Sequence, residues 1–215
     1  EAEDRGTNAA TENLQSGRSA INIADGALDE VTDYLQRIRE LGVKASNGLL
    51  TDEDRSYIQT EIDQLKQGIA DVANNTTYNE KNLLNGSEPS FKIAADANGD
   101  AMNMTNVDGT LASLGIADFD VTSGNFDLGA IDKALETVSR GRSTLGAQSN
   151  AFDHAINFNN ALSYNTTAAS SSLGDTEYGE YVSNLQKENL LNTYSIMMQK
   201  KKMEDEHQKT MGLFT

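Results

Sequence analysis

The stretch LQSGRSAINIADGALDEVTDYLQRIRELGVKA, Leu14 to Ala45, decides the fold. Leu14, Ile21, Leu28 and Leu35 recur every seven residues, and Ala24, Val31, Ile38 and Ala45 form a second series offset by three. Two interleaved series of this kind are the a and d positions of a helix-packing seam. Gly17 and Gly42 set small residues into the seam, where a neighbouring element can come close. The helical pattern extends from about Arg5 to Asn47, and at 1.5 Å per residue it predicts a rod of about 60 Å. Near its end lies LQRIREL, 35–41, in which Leu35 and Ile38 share the inner face while Gln36, Arg37, Glu40 and Leu41 spread over the other sides. A leucine beside an arginine on an outer face reads as a contact surface rather than a solvated one.

Working outward, Asn47-Gly48 supplies a helix-ending signal. Thr51 followed by Asp52, Glu53 and Asp54 opens a second helix with negative charge in its first turn. Ile58, Ile62, Leu65, Ile69, Val72 and Thr76 continue at four-three spacing, and the short loop makes the two helices an antiparallel pair. Asn85-Gly86 is a further turn signal. In FKIAADANGDAMNM, Phe91, Ile93 and Ala95 alternate before Asn98-Gly99, and Met102 and Met104 follow it, which predicts a β-hairpin. A looser strand is expected around Phe119 and Val121. From about Leu128 a third helical seam runs through Ala134, Val138, Gly141, Leu145, Gln148, Phe152, Ala155, Asn159, Leu162, Thr166, Ala169 and Leu173. Gly174 with Asp175-Thr176-Glu177 predicts a break, and a last helix carries Val182, Leu185, Leu190, Leu191, Tyr194, Met197 and Met198.

The expected fold is therefore mainly α: a long antiparallel helical rod, a coiled-coil-like bundle, with a small β-hairpin region. Residues 1–86 form the N-terminal part of the rod, 87–127 its β-hairpin region, 128–174 its C-terminal helix, and 175–215 a terminal segment expected to fray in the free monomer. One proline in 215 residues, Pro89, leaves long helices uninterrupted. A net charge of -16 argues against a nucleic-acid partner, which requires a basic patch. No apolar run reaches the roughly 18 residues that span a bilayer, so no membrane partner is expected. The chain has no cysteine, hence neither disulfides nor thiolate metal sites.

Chemistry-bearing patterns are sparse. Asp96, Asn98 and Asp100 have the first spacings of a calcium loop, but glycine falls at 99 and the twelfth position is Val107, so a plain hairpin turn is the better reading. Glu204, Glu206 and His207 lack a second histidine at helical spacing, since His154 lies in a different helix. No nucleophile elbow or phosphate loop is present. The lysines 200–202 are balanced by Glu204, Asp205 and Glu206, as in a solvated helix face with a Lys202–Glu206 pair. Neither catalytic residues nor metal ligands nor cofactors are expected.

The runs GALDEVTDYLQRIRELGVKASNG, YIQTEIDQLKQGIADVANNTTYNEKNLLNG, LGIADFDV and IDKALETVSRGRSTLGAQSNAFDHAI, in this order, resemble bacterial flagellin, the subunit of the flagellar filament, over nearly the whole length. The resemblance includes the Arg-Ser-x-Leu-Gly-Ala signature at 142–147. It implies a secreted structural protein of the extracellular flagellum that serves motility by self-assembly, with other flagellin subunits as partners. It also implies that the variable outer domains and an N-terminal core helix are missing here, and that a hook–filament junction protein is the alternative. The tail MMQKKKMEDEHQKTMGLFT departs from the small-residue helix usual in the family. The family's export chaperone implies docking on Val182, Leu185, Leu190, Leu191, Tyr194 and Met198. The vertebrate innate immune receptor for flagellin implies contacts at Gln36, Arg37, Leu41 and Glu61, positions that subunit packing also explains; Lys44 departs from the family's usual glutamine.

Overall fold

The computed structural model describes residues 2–212, with side chains described except at 2, 173–178 and 205–212. The elements in order are α1 (Ala2–Ala45), α2 (Asp52–Asn75), β1 (Thr77–Tyr78), β2 (Lys81–Asn82), β3 (Ser90–Ala94), β4 (Ala101–Thr105) and α3 (Gly129–Gly212). The fold is mainly α, with two small antiparallel strand pairs. The chain divides into one unit over Glu1–Ser163 and a second over Tyr164–Thr215. Side-chain expectations at Leu173, His207 and the Lys202–Glu206 pair lie outside the described residues. The predicted break at Gly174 does not occur: the helix passes through 174–177. One glycine costs a helix only about 1 kcal/mol, and no proline stands there to remove a backbone donor.

In the first unit both seven-residue series of α1 are buried along their whole length. Cross-links fix the direction of its neighbours. Arg37 meets Glu61 and Tyr34 faces Gly68, so α2 runs antiparallel to α1. Arg39 pairs with Asp132, Arg142 with Asp25, and Arg18 with Asp153, so α3 descends along α1 as its numbers rise. The seam glycines act as expected. A Cβ on Gly17 would lie 2.6 Å from the ring of Phe152, and one on Gly42 would lie 2.5 Å from Leu128. Phe152 is fully buried there, a side chain whose burial contributes about 1.5–3 kcal/mol.

Two helix ends are closed by side chains. Gly48 does not take the left-handed conformation that a glycine cap requires. Instead Arg55, on α2, donates to the carbonyls of Ala45, Leu50 and Asn47, and Ser46 Oγ donates to Gly42 O. The bond to Ala45 O satisfies a carbonyl that the end of α1 leaves open, and those to Asn47 O and Leu50 O tie down the loop between the helices. At the start of α2, Thr51 Oγ1 accepts from the Asp54 N–H while the Asp54 carboxylate accepts from the Thr51 N–H, a reciprocal capping box.

The predicted hairpin forms as β3 and β4, with Phe91 opposite Met104 and Ile93 opposite Met102. It is held by two polar residues of the α3 seam. Asn159 Nδ2 donates to Ala95 O at 2.9 Å, and Gln148 Oε1 accepts from Thr105 N at 3.2 Å. A second, two-residue hairpin joins β1 to β2 through Asn79 and Glu80, both at positive φ (48° and 65°). The strand expected at Phe119 and Val121 is absent: these residues lie in an irregular segment whose apolar side chains fill the core. Gln59 of α2 replaces a strand neighbour there. Its Oε1 accepts from Val121 N at 2.9 Å, and its Nε2 donates to Phe119 O at 3.4 Å.

Candidate interaction surfaces

On the outer side of the α1–α2 pair, Arg37 is held from two directions. Its Nε and Nη2 donate to Glu61 Oε1 at 2.9 and 2.7 Å, and its Nη1 donates to Glu40 Oε2 at 2.9 Å. The antiparallel pairing places Glu61 across from Arg37, while Glu40 lies one turn along the same helix. All three side chains remain about half open to solvent. The bond to Glu61, then that to Glu40, raises the Arg37 pKa further above its ordinary value. Gln36 is exposed beside Arg37. The arrangement is a guanidinium fixed in orientation and still reachable, the form in which arginine recognises carboxylates and aromatic faces.

Leu41 is a correction. The expectation put it on the outer surface, but it is 3% exposed and belongs to the core. A straight helix drifts relative to a seven-residue repeat, so a second position joins the stripe at intervals. Here it does so at Ala20 beside Ile21 and at Leu41 beside Gly42. Leu41 therefore supports the patch from beneath. The solvent-facing surface is Gln36, Arg37 and Glu40 with the partly exposed Glu61, all of them polar.

Arg142 forms a second polar cluster, between α3 and α1. Its Nε donates to Asp25 Oδ1 at 2.9 Å, and Nη1 donates to Asp29. The hydrogen bond to Asp25 is the main cause of its raised pKa. The side chain is 32% exposed, and its donors are taken up within the unit. Sequence reasoning placed Arg142 in a signature without giving it a partner, because Asp25 and Asp29 lie more than a hundred residues away.

In the second unit the helix keeps large apolar side chains open: Tyr181, Leu185, Leu190, Leu191, Tyr194, Ile196, Met197, Met198 and Met203 are all exposed. The docking candidates do not share one face. At about 100° per residue, Leu190, Leu191 and Met198 lie around Tyr194, whereas Leu185 lies half a turn away with Val182 close to it. Elsewhere the chemistry is quiet. Asp96 Oδ1 accepts from the N–H groups of Asn98 and Asp100 at 2.9 Å each, so the would-be calcium ligand is used inside the hairpin turn. Among the described residues no group of three or more His, Cys, Asp or Glu is placed to hold a metal ion, and no helix is long and apolar enough to cross a membrane.

Residues 1–88 match the bacterial flagellin N-terminal helical region, and residues 128–207 match the bacterial flagellin C-terminal helical region. A flagellin of Halalkalibacterium halodurans is 35% identical over 204 residues, covering 92% of this chain and 75% of that protein. A flagellar filament 30.7 kDa core protein of Treponema maltophilum is 32% identical, covering 90% of this chain and 75% of that one. The crystal structure of Bacillus cereus flagellin superposes with a TM-score of 0.61 at 28% identity, over 68% of this chain and 88% of that one. A putative flagellar hook-associated protein of Vibrio parahaemolyticus shares the fold, with a TM-score of 0.63 at 17% identity.

Proposed function

The chain belongs to the bacterial flagellin family, and on that premise we propose how its surfaces serve a filament subunit. The family is structural: its members are components of the extracellular flagellar filament and associate with other flagellin subunits. The single observation that supports this use here is the contrast between the two units. The first buries two continuous seams within itself, and the second leaves a run of leucine, tyrosine and methionine side chains open. Apolar area of that extent is covered by association. Seeded assembly of the chain, followed by light scattering, tests the reading. Growth from flagellin seeds is the expected result, and no growth at any concentration overturns it.

Three finer roles rest on the same reading. Secretion through the flagellar export route would deliver the subunit, with the export chaperone docking on the terminal helix along the face of Leu190, Leu191, Tyr194 and Met198. The innate immune receptor for flagellin would meet Gln36, Arg37 and Glu61, with Leu41 acting from below. A junction protein between hook and filament is the alternative; the hook-associated neighbour speaks for the fold alone, so the filament subunit stands first.

A further inference from the structure

Of the five methionines whose side chains are described, three are open to solvent on the terminal helix, with Met197 at 62%, Met198 at 52% and Met203 at 65% exposure. Met104, in β4, is 1% exposed. Their directions differ. At about 100° per residue, Leu190, Leu191, Met197 and Met198 fall within about 60° of Tyr194 and make a stripe of apolar side chains interleaved with Lys187 and Lys201, whereas Met203 points about 180° away, on the side of Leu185 and Ile196. Two of the five side chains of that stripe are thus thioethers, the apolar group that an oxidant converts to a polar one.

We propose that Met197 and Met198 are an oxidation site through which a peroxide-class oxidant switches off association of this helix with a second copy of the chain. The inference rests on the filament-subunit reading above. The sulfur lone pair attacks one peroxide oxygen, the O–O bond breaks and an S–O bond forms. The second oxygen leaves as hydroxide and takes the proton of the oxygen now bonded to sulfur, giving sulfoxide and water, so the sulfur is oxidised by two electrons and the peroxide is reduced. The sulfoxides place two strong dipoles on either side of the stripe at its C-terminal end, and burying them against an apolar partner carries a desolvation cost. Met203 undergoes the same chemistry off the stripe and leaves association intact. Leucine, close in volume to methionine, keeps the stripe apolar without a reactive sulfur.

The test treats the chain with dilute hydrogen peroxide and reads oxygen uptake by peptide mass spectrometry. Met197, Met198 and Met203 are expected to react at least about tenfold faster than Met104. Self-association by light scattering is expected to fall in the native chain and in Met203→Leu, and to survive in the Met197→Leu/Met198→Leu double variant. Equal uptake at Met104, or a double variant that loses association as readily as the native chain, overturns the proposal. A native chain that fails to associate before treatment counts against the filament reading alone. Binding of an apolar fluorescent dye then decides the oxidation site. Dye emission that falls in the native chain and holds in the double variant supports it, and emission that falls equally in both overturns it.

Discussion

Gly17 and Gly26 lie on the same helix and should answer the same substitution with opposite signs. A methyl group on Gly17 meets the Phe152 ring at 2.6 Å, and Phe152 has no exposed side from which to yield. Overpacking of this kind costs about 1–3 kcal/mol. Gly26 is exposed and has nothing within 4 Å of the added carbon, so alanine gains roughly 0.5–1 kcal/mol of helix propensity. Urea unfolding of Gly17→Ala and Gly26→Ala is expected to move the midpoints down and up respectively; two shifts of the same sign would contradict the packing described for the seam. Arg37 makes a different kind of claim, because its bonds to Glu61 and Glu40 are solvent-exposed and stabilise the fold little. Arg37→Ala should leave unfolding nearly unchanged and weaken binding to the receptor ectodomain at least about tenfold. Unchanged affinity in a titration removes Arg37 from the proposed contact.

At the scale of the elements, the start of α2 carries a pH dependence. The Asp54 carboxyl is held below its ordinary pKa of 3.8, first by the Thr51 hydroxyl and then by the Thr51 N–H. A carboxyl lowered on folding contributes stability that is fully present above the unfolded value and is lost as pH falls through the folded one. Asp54→Asn keeps an acceptor but loses the charge. Its deficit against the native chain, measured by denaturant unfolding, is expected at neutral pH and should close as pH drops below about 4. A deficit that stays constant with pH would mean that the charge has no part in the cap. The two helices and the β3–β4 hairpin were legible because their patterns are local: seven-residue spacing in α1, Thr51 before three acids, and alternation about Asn98-Gly99. Other features depend on distant partners and carry no local pattern. Gln59 reads as a surface glutamine until Val121 is brought beside it, and Arg55 as a solvated cation until it faces the carbonyls of the preceding helix end. Asn79-Glu80 hid its turn because glutamate seldom adopts positive φ. Leu41 lies inside rather than outside for a related reason: a strict two-position seam is narrower than the stripe a helix buries between two neighbours.

The whole molecule combines an association surface with a net charge of -16. Copies that approach one another therefore repel before their apolar surfaces meet, and the repulsion acts over the Debye length. That length is about 30 Å at 0.01 M salt and about 8 Å at 0.15 M, so screening removes the long-range barrier and leaves the short-range contact, which salt weakens little. The ion pairs of Arg18, Arg37, Arg39 and Arg142 with carboxylates of their own chain leave that net charge unchanged. The rate of seeded growth should accordingly rise steadily with sodium chloride over this range, without a change in the salt-independent unfolding of the first unit's apolar core. If growth slows instead, attraction between opposite charges on neighbouring copies drives assembly, and the apolar stripe of the terminal helix is not its main contact.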